Sequence, residues 1–245
     1  MLRGLIQDIP LLISSLIVHA DRHQGDTEIV SRTVEGPAAD GTGALHRYTY
    51  IDAHKRARQL AQALARLGVK EGDLVGTLAW NGYRNFEAFY GISGMGAVMH
   101  TVNPRLFPEQ LVYIINHAED GYMLFDLTFA PLVEKLAPAC KGVKGWIALT
   151  DRAHMPKVNL PNLLCYEELI EAENGDFDWP QLDEYTASSL CYTSGTTGNP
   201  KGVLFSHRST VIHAFAAALP DALNISACDV MLPVVPMFHA NAWSL

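Results

Sequence analysis

The chain has 245 residues, 49% of them apolar and 18% charged, with 18 Lys and Arg against 26 Asp and Glu. That balance suits one or two packed domains and excludes a disordered chain, and a net charge of −8 with no basic run argues against nucleic acid as the main partner. The four cysteines, at 140, 165, 191 and 228, have no metal or redox spacing and fit a reducing cytoplasm, and no apolar stretch approaches the ~18 residues of a membrane span.

Residues 10–23 read as a helix with Pro10 near its first turn. The apolar residues 10–18 faintly resemble a signal peptide. Gln7 and Asp8 interrupt that pattern, however, and only Arg3 precedes it as a basic residue. His19 and His23 stand four apart, but no Glu lies between them and no third ligand is evident, so no metal site is expected there. The clearest helix is 50–67. Thr49 and Asp52 form a capping pair and Gly68 a stop, and Ala53, Ala57, Leu60, Ala61, Leu64 and Leu67 recur at helical spacing. Lys55, Arg56, Arg58 and Arg66 fall off that stripe and read as a solvated basic face.

Downstream, apolar runs at 74–80, 97–102, 122–126 and 145–150 read as buried strands, with helices near 83–95, 108–118 and 129–138 between them. That alternation predicts an α/β fold of mostly parallel sheet flanked by helices. Residues 151–186, richer in Asp, Asn, Glu and Pro, read as a surface connection with one short helix at 166–173.

The segment Tyr192-Thr-Ser-Gly-Thr-Thr-Gly-Asn-Pro-Lys-Gly-Val203 carries the chemistry. Four aliphatic hydroxyls, three glycines and one lysine stand together with no acid among them. Glycines let backbone N–H groups turn toward a ligand, hydroxyls donate hydrogen bonds and the lysine adds charge, which together suit a polyphosphate. A Walker loop would place its lysine after a glycine and start a helix at once. Here Lys201 follows Pro200, and strand-like runs lie on both sides, so strand–loop–strand is expected. The competing reading is a hairpin tip that binds nothing.

This segment resembles the phosphate loop of the adenylate-forming superfamily, which contains acyl-CoA synthetases, luciferases and peptide-synthetase adenylation domains. Pro236-Met-Phe-His-Ala-Asn-Ala-Trp243 resembles the next core motif. His100-Thr-Val-Asn-Pro-Arg-Leu106 and Tyr113-Ile-Ile-Asn-His-Ala-Glu-Asp120 resemble the medium- and long-chain fatty-acid–CoA ligase branch. The resemblance implies the N-terminal, AMP-binding portion of that family's large domain, divided into a first α/β part at about 1–180 and a phosphate-loop and acyl-site part at 187–245. The family's downstream motifs and small C-terminal domain are not in the chain, which implies part of a longer enzyme, with the isolated piece inactive.

The implied reaction joins a fatty acid to coenzyme A through an acyl-adenylate made from ATP, with Mg²⁺. By resemblance, Thr193, Ser194, Thr196, Thr197 and Gly198 contact the β- and γ-phosphates, and Thr196 also lies near Mg²⁺. Gly195 belongs to the same run and, like Gly202, permits the turn. Lys201 holds the phosphates, His239 lies beside the reacting carboxylate and α-phosphate, and Trp243 borders the acyl tunnel. Plain core packing for Trp243, a satisfied buried histidine at 239 and an acid-paired Arg105 are the alternatives. Asn241 has no assigned role. An aryl or amino acid in place of the fatty acid, or an acyl-binding fragment without catalysis, are the other functional readings. The resemblance also allows a homodimer, and a cytoplasmic enzyme peripheral to a membrane.

Overall fold

Helices and strands alternate along the chain: α1 (Ile13–Gln24), β1 (Glu28–Arg32), β2 (Leu45–Thr49), α2 (Tyr50–Arg66), β3 (Leu74–Leu78), α3 (Tyr83–Gly94), β4 (Val98–Thr101), α4 (Pro108–Ala118), β5 (Tyr122–Phe125) and α5 (Ala130–Leu136). There follow β6 (Gly145–Ala148), β7 (Leu163–Cys165), α6 (Tyr166–Glu171), β8 (Ala187–Thr193), β9 (Lys201–Ser206) and α7 (His207–Ala218). The computed structural model describes residues 6–37, 44–193 and 199–239.

Local chemistry sets the best-defined of these helices. At the start of α2 the Thr49 hydroxyl accepts from the Asp52 N–H and the Asp52 carboxylate accepts from the Thr49 N–H, satisfying two otherwise unpaired donors. Gly68 then takes a positive φ of 89°, and the helix ends. The stripe anticipated on α2 is buried from Ala53 to Leu64, and α3 packs against it closely. A Cβ on Gly91 would stand 2.9 Å from the Ala57 carbonyl, so glycine sets the approach of the two helices.

The main sheet has seven strands in the order β7-β6-β5-β3-β4-β8-β9. Neighbours are parallel except at β9, which runs antiparallel to β8. From β3 the chain winds outward to β4 on one side and then returns to β5 on the other. The strand order therefore reverses between β3 and β5. In such doubly wound sheets the crevice beyond the carboxyl ends of the strands at that point is where ligands bind.

Both faces of the sheet are covered, as unbroken apolar strands require. One face packs Val75, Met99, Leu124 and Ile147 under α1, α2 and α3. The other packs Met123, Phe125 and Trp146 under α4 and α5. β9 ends the sheet with Leu204 exposed.

The structure departs from the sequence readings in several places. Residues 151–186 are more than a connection, because β7 joins the sheet edge and Tyr166 is wholly buried. The antiparallel pair β1–β2 forms a separate two-stranded sheet that the polar, short-range pattern there did not announce. Arg56 is not solvated. Its Nε donates to Glu87 at 2.7 Å, and its two terminal nitrogens donate to Glu167 at 3.0 Å. The helix expected from Pro10 begins at Ile13. The one expected at 129–138 is an α-helical core, α5, flanked by 3₁₀ turns.

Candidate active site

The turn that follows β3 is built to present side chains at the point where strand order reverses. The Trp80 N–H donates to Asp126 Oδ2 at 2.6 Å, linking the carboxyl ends of β3 and β5. Asn81 follows, and its side chain reaches across the sequence to the segment carrying the second motif. Its Nδ2 donates to the carbonyls of Pro233 and Val235 at 3.0 and 2.9 Å, and its Oδ1 accepts from the Met237 N–H at 2.6 Å. Phe238 is buried, with its ring 6.4 Å from that of Trp80 and the Arg105 guanidinium 6.0 Å above it. A cleft of about 470 Å³ opens here, lined by Trp80, Asn81, Thr128, Val234 and Pro236 and bordered by Arg32, Thr33 and Val34.

Two strands away, β8 and β9 form the stem of the glycine- and threonine-rich bend. The connection is strand–loop–strand, as the sequence predicts. Thr193 and Lys201 face each other as the last paired residues, with Thr193 Oγ1 3.4 Å from the Lys201 carbonyl. The stem is anchored one residue earlier. Tyr192 turns into the face covered by α4, where its hydroxyl and His117 Nδ1 lie 2.6 Å apart. Lys201 is exposed and forms no ion pair among the described residues. Strands two places apart in a sheet lie ~10 Å apart, a span comparable with a bound triphosphate.

His239 lies on the turn after Phe238, exposed, with its N–H donating to the Pro236 carbonyl at 2.9 Å. The buried-histidine alternative therefore does not hold. Arg105 has no carboxylate partner among the described residues and stacks on Phe238 instead, tying the Asn103-Pro104-Arg105 turn to the second motif. Ser194, Gly195, Thr196, Thr197, Gly198, Asn241 and Trp243 lie outside the described residues. Thr193, Lys201 and His239 stand at the carboxyl edge of one sheet, on strands or turns that converge there. Asn81, Trp80 and Asp126 were missed from the sequence. The usable signal was an Asn placed directly after a buried parallel strand. Among the described residues, no group of three His, Cys, Asp or Glu side chains gathers to hold a metal. None of the described helices is long and apolar enough to cross a membrane.

Burial pushes the Asp126 carboxyl up to about 7, although the Trp80 N–H bond and Arg84 work the other way. The folded protein then holds a proton that the unfolded chain has already lost above its ordinary value of 3.8. Asp126 therefore contributes fully below that value, and the contribution is lost as pH rises through about 7. Relative to Asp126→Asn, wild-type protein is expected to lose up to ~4 kcal/mol between pH 4 and 8 in urea unfolding. A difference that does not vary with pH would contradict a buried protonated form.

Sheet order, the crevice at the reversal and the β8–β9 stem together define a doubly wound α/β architecture. The chain belongs to the AMP-binding enzyme family, whose model matches residues 18–245. It is 52% identical over 240 residues to 3-methylmercaptopropionyl-CoA ligase of Ruegeria lacuscaerulensis, covering 98% of this chain and 43% of that protein. It is 47% identical to medium-chain-fatty-acid–CoA ligase of Ectopseudomonas oleovorans, covering 95% of this chain and 41% of the relative. A long-chain-fatty-acid-CoA ligase structure from Archaeoglobus fulgidus superposes with a TM-score of 0.78 at 22% identity, over 96% of this chain and 44% of that one. The chain thus spans about two-fifths of the length of the relatives it matches.

Proposed function

We propose that the protein of which this chain forms part is an ATP-dependent acyl-CoA ligase acting on fatty acids. The observation that carries the reading is the β8–β9 stem, which holds Thr193 opposite an exposed Lys201, without an ion-pair partner among the described residues, at the edge where the second motif is docked. The substrate carboxylate attacks the α-phosphorus of ATP and pyrophosphate leaves. The coenzyme A thiol then attacks the acyl carbon of the adenylate, forming the thioester and releasing AMP and a proton. The substrate supplies its own nucleophile, so this chain needs to position groups and offset phosphate charge rather than provide a base.

In this reading Lys201 holds the β- and γ-phosphates as a compact positive charge. Thr193, with Ser194, Gly195, Thr196, Thr197 and Gly198, presents hydroxyl and N–H donors to the same oxygens. His239 lies exposed where the carboxylate meets the α-phosphate, and Trp243 borders the acyl chain. Mg²⁺ would neutralise phosphate charge when bound, with the Thr196 hydroxyl beside it.

The identity to a 3-methylmercaptopropionyl-CoA ligase favours one second reading, a short thioether acid as substrate. Exchange of radiolabelled pyrophosphate into ATP by the intact protein decides between them. Exchange that depends on medium- or long-chain fatty acids supports the proposal. Exchange with 3-methylmercaptopropionate alone selects the second reading, and no exchange with any acid removes both.

A further inference from the structure

We propose that Asn81 is a positioning residue of the acid-activating site, clamping the 233–239 segment, and His239 with it, against the carboxyl end of β3. The inference rests on the ligase reading above and adds a residue to it. One side-chain amide uses both its donors and its acceptor on a single segment more than 150 residues away in sequence. Among the described residues, little else holds that segment. The only backbone–backbone bonds donated from 225–239 among the described residues are local turns, Asp229 N–H to Ser226 and His239 N–H to Pro236. Leu232 and Val234 are more than four-fifths exposed. Besides Asn81, the anchors are the buried side chains of Met237 and Phe238.

The chemistry selects asparagine. Two carbonyls need N–H donors and one N–H needs an acceptor, and among short side chains only Asn offers both from one planar group. An aspartate would turn a carboxylate oxygen toward the Pro233 and Val235 carbonyls. The clamp is itself fixed from below, because Asp126 holds the Trp80 N–H and Asn85 Nδ2 donates to the Trp80 carbonyl at 3.3 Å. The sheet end thus sets where Asn81 points, and Asn81 sets where the turn before His239 lies. A displacement of the order of 1 Å at a reacting group costs on the order of a hundredfold in rate.

The test uses the intact protein, Asn81→Ala, Asn81→Asp and, as control, Asn116→Ala. The control removes one comparable bond, Asn116 Nδ2 to the Ala139 carbonyl at 3.0 Å, from a different part of the fold. Two readouts are taken: hydrogen exchange at the Met237 amide, and the kinetics of acid-dependent pyrophosphate exchange. In Asn81→Ala the Met237 amide is expected to exchange at least about tenfold faster. The kcat is expected to fall roughly 10- to 100-fold while KM for ATP stays within about twofold. Asn81→Asp should be no better, and Asn116→Ala should match wild type in both readouts. Wild-type kinetics in Asn81→Ala, or a lost rate without faster exchange at Met237, overturns the proposal. If wild-type protein shows no acid-dependent exchange, the ligase reading fails, and the Met237 amide alone then decides whether Asn81 is a clamp.

Discussion

Replacing Glu87 by alanine is expected to destabilise the protein by about 3–5 kcal/mol, the cost of breaking a buried charge pair from one side. Glu87 on α3 is wholly buried. It accepts from Arg56 Nε and from the Tyr166 hydroxyl, each at 2.7 Å. Burial pushes its carboxyl up, and Arg56 and Tyr166 pull it part of the way back. Around it, Arg56 and Arg84 share Glu167, and Arg84 also reaches Glu35 and the Leu149 carbonyl at 2.7 and 2.9 Å. Burial works against ionised Glu167 too, but the two guanidinium groups outweigh it and hold its carboxyl below the ordinary range.

Removing Glu87 would leave Arg56 short of a counter-charge and the Tyr166 hydroxyl without its acceptor. The tie among α2, α3 and α6 would then rest on Glu167 alone, shared by Arg56 and Arg84. Arg152→Ala breaks the exposed pair with Glu168 and should change stability by less than ~0.5 kcal/mol. Urea unfolding at pH 7 compares the two. Equal, small losses would show that the buried network contributes no more than a surface pair.

Lys201→Ala is expected to lower the rate of adenylate formation by on the order of 10²–10³, the usual cost of removing one preorganised group that stabilises developing charge. The side chain is exposed and unpaired among the described residues. Stability should therefore move by less than ~0.5 kcal/mol, which separates loss of chemistry from loss of fold. Lys201→Arg should recover part of the rate, since it restores charge but not the compact ammonium geometry. Pyrophosphate exchange kinetics give the first quantity and urea unfolding the second. An alanine variant with unchanged kcat and KM for ATP would take Lys201 out of the site.

What the sequence made legible was local. The Thr49–Asp52 capping box, the Gly68 stop and the strand–loop–strand form of the bend depend on residues within a few positions of one another. The apolar runs at β3–β6 announced a covered parallel sheet, though not its order, because strand order depends on which helix packs on which face. Arg56 was misread for the same reason. Its partners, Glu87 and Glu167, lie 31 and 111 residues away, and no periodicity reveals them. β7 was hidden by its three-residue length within a polar stretch. The position of Asn81 after a buried strand was a usable signal, but its link to Asp126 emerged only once β3 and β5 became neighbours. The motif at 236–239 could be read, but what holds it could not.

If this sheet edge serves the activation of a carboxylic acid by transfer to AMP, as proposed, isotope transfer reveals it. The intact protein would be supplied with ATP, coenzyme A and a fatty acid labelled with oxygen-18 in its carboxylate. AMP carrying one labelled oxygen is expected, because the carboxylate oxygen that attacks the α-phosphorus stays with the phosphate when the thiol displaces AMP. Thioester formed alongside unlabelled AMP, or ADP and phosphate as products in place of AMP, would contradict it.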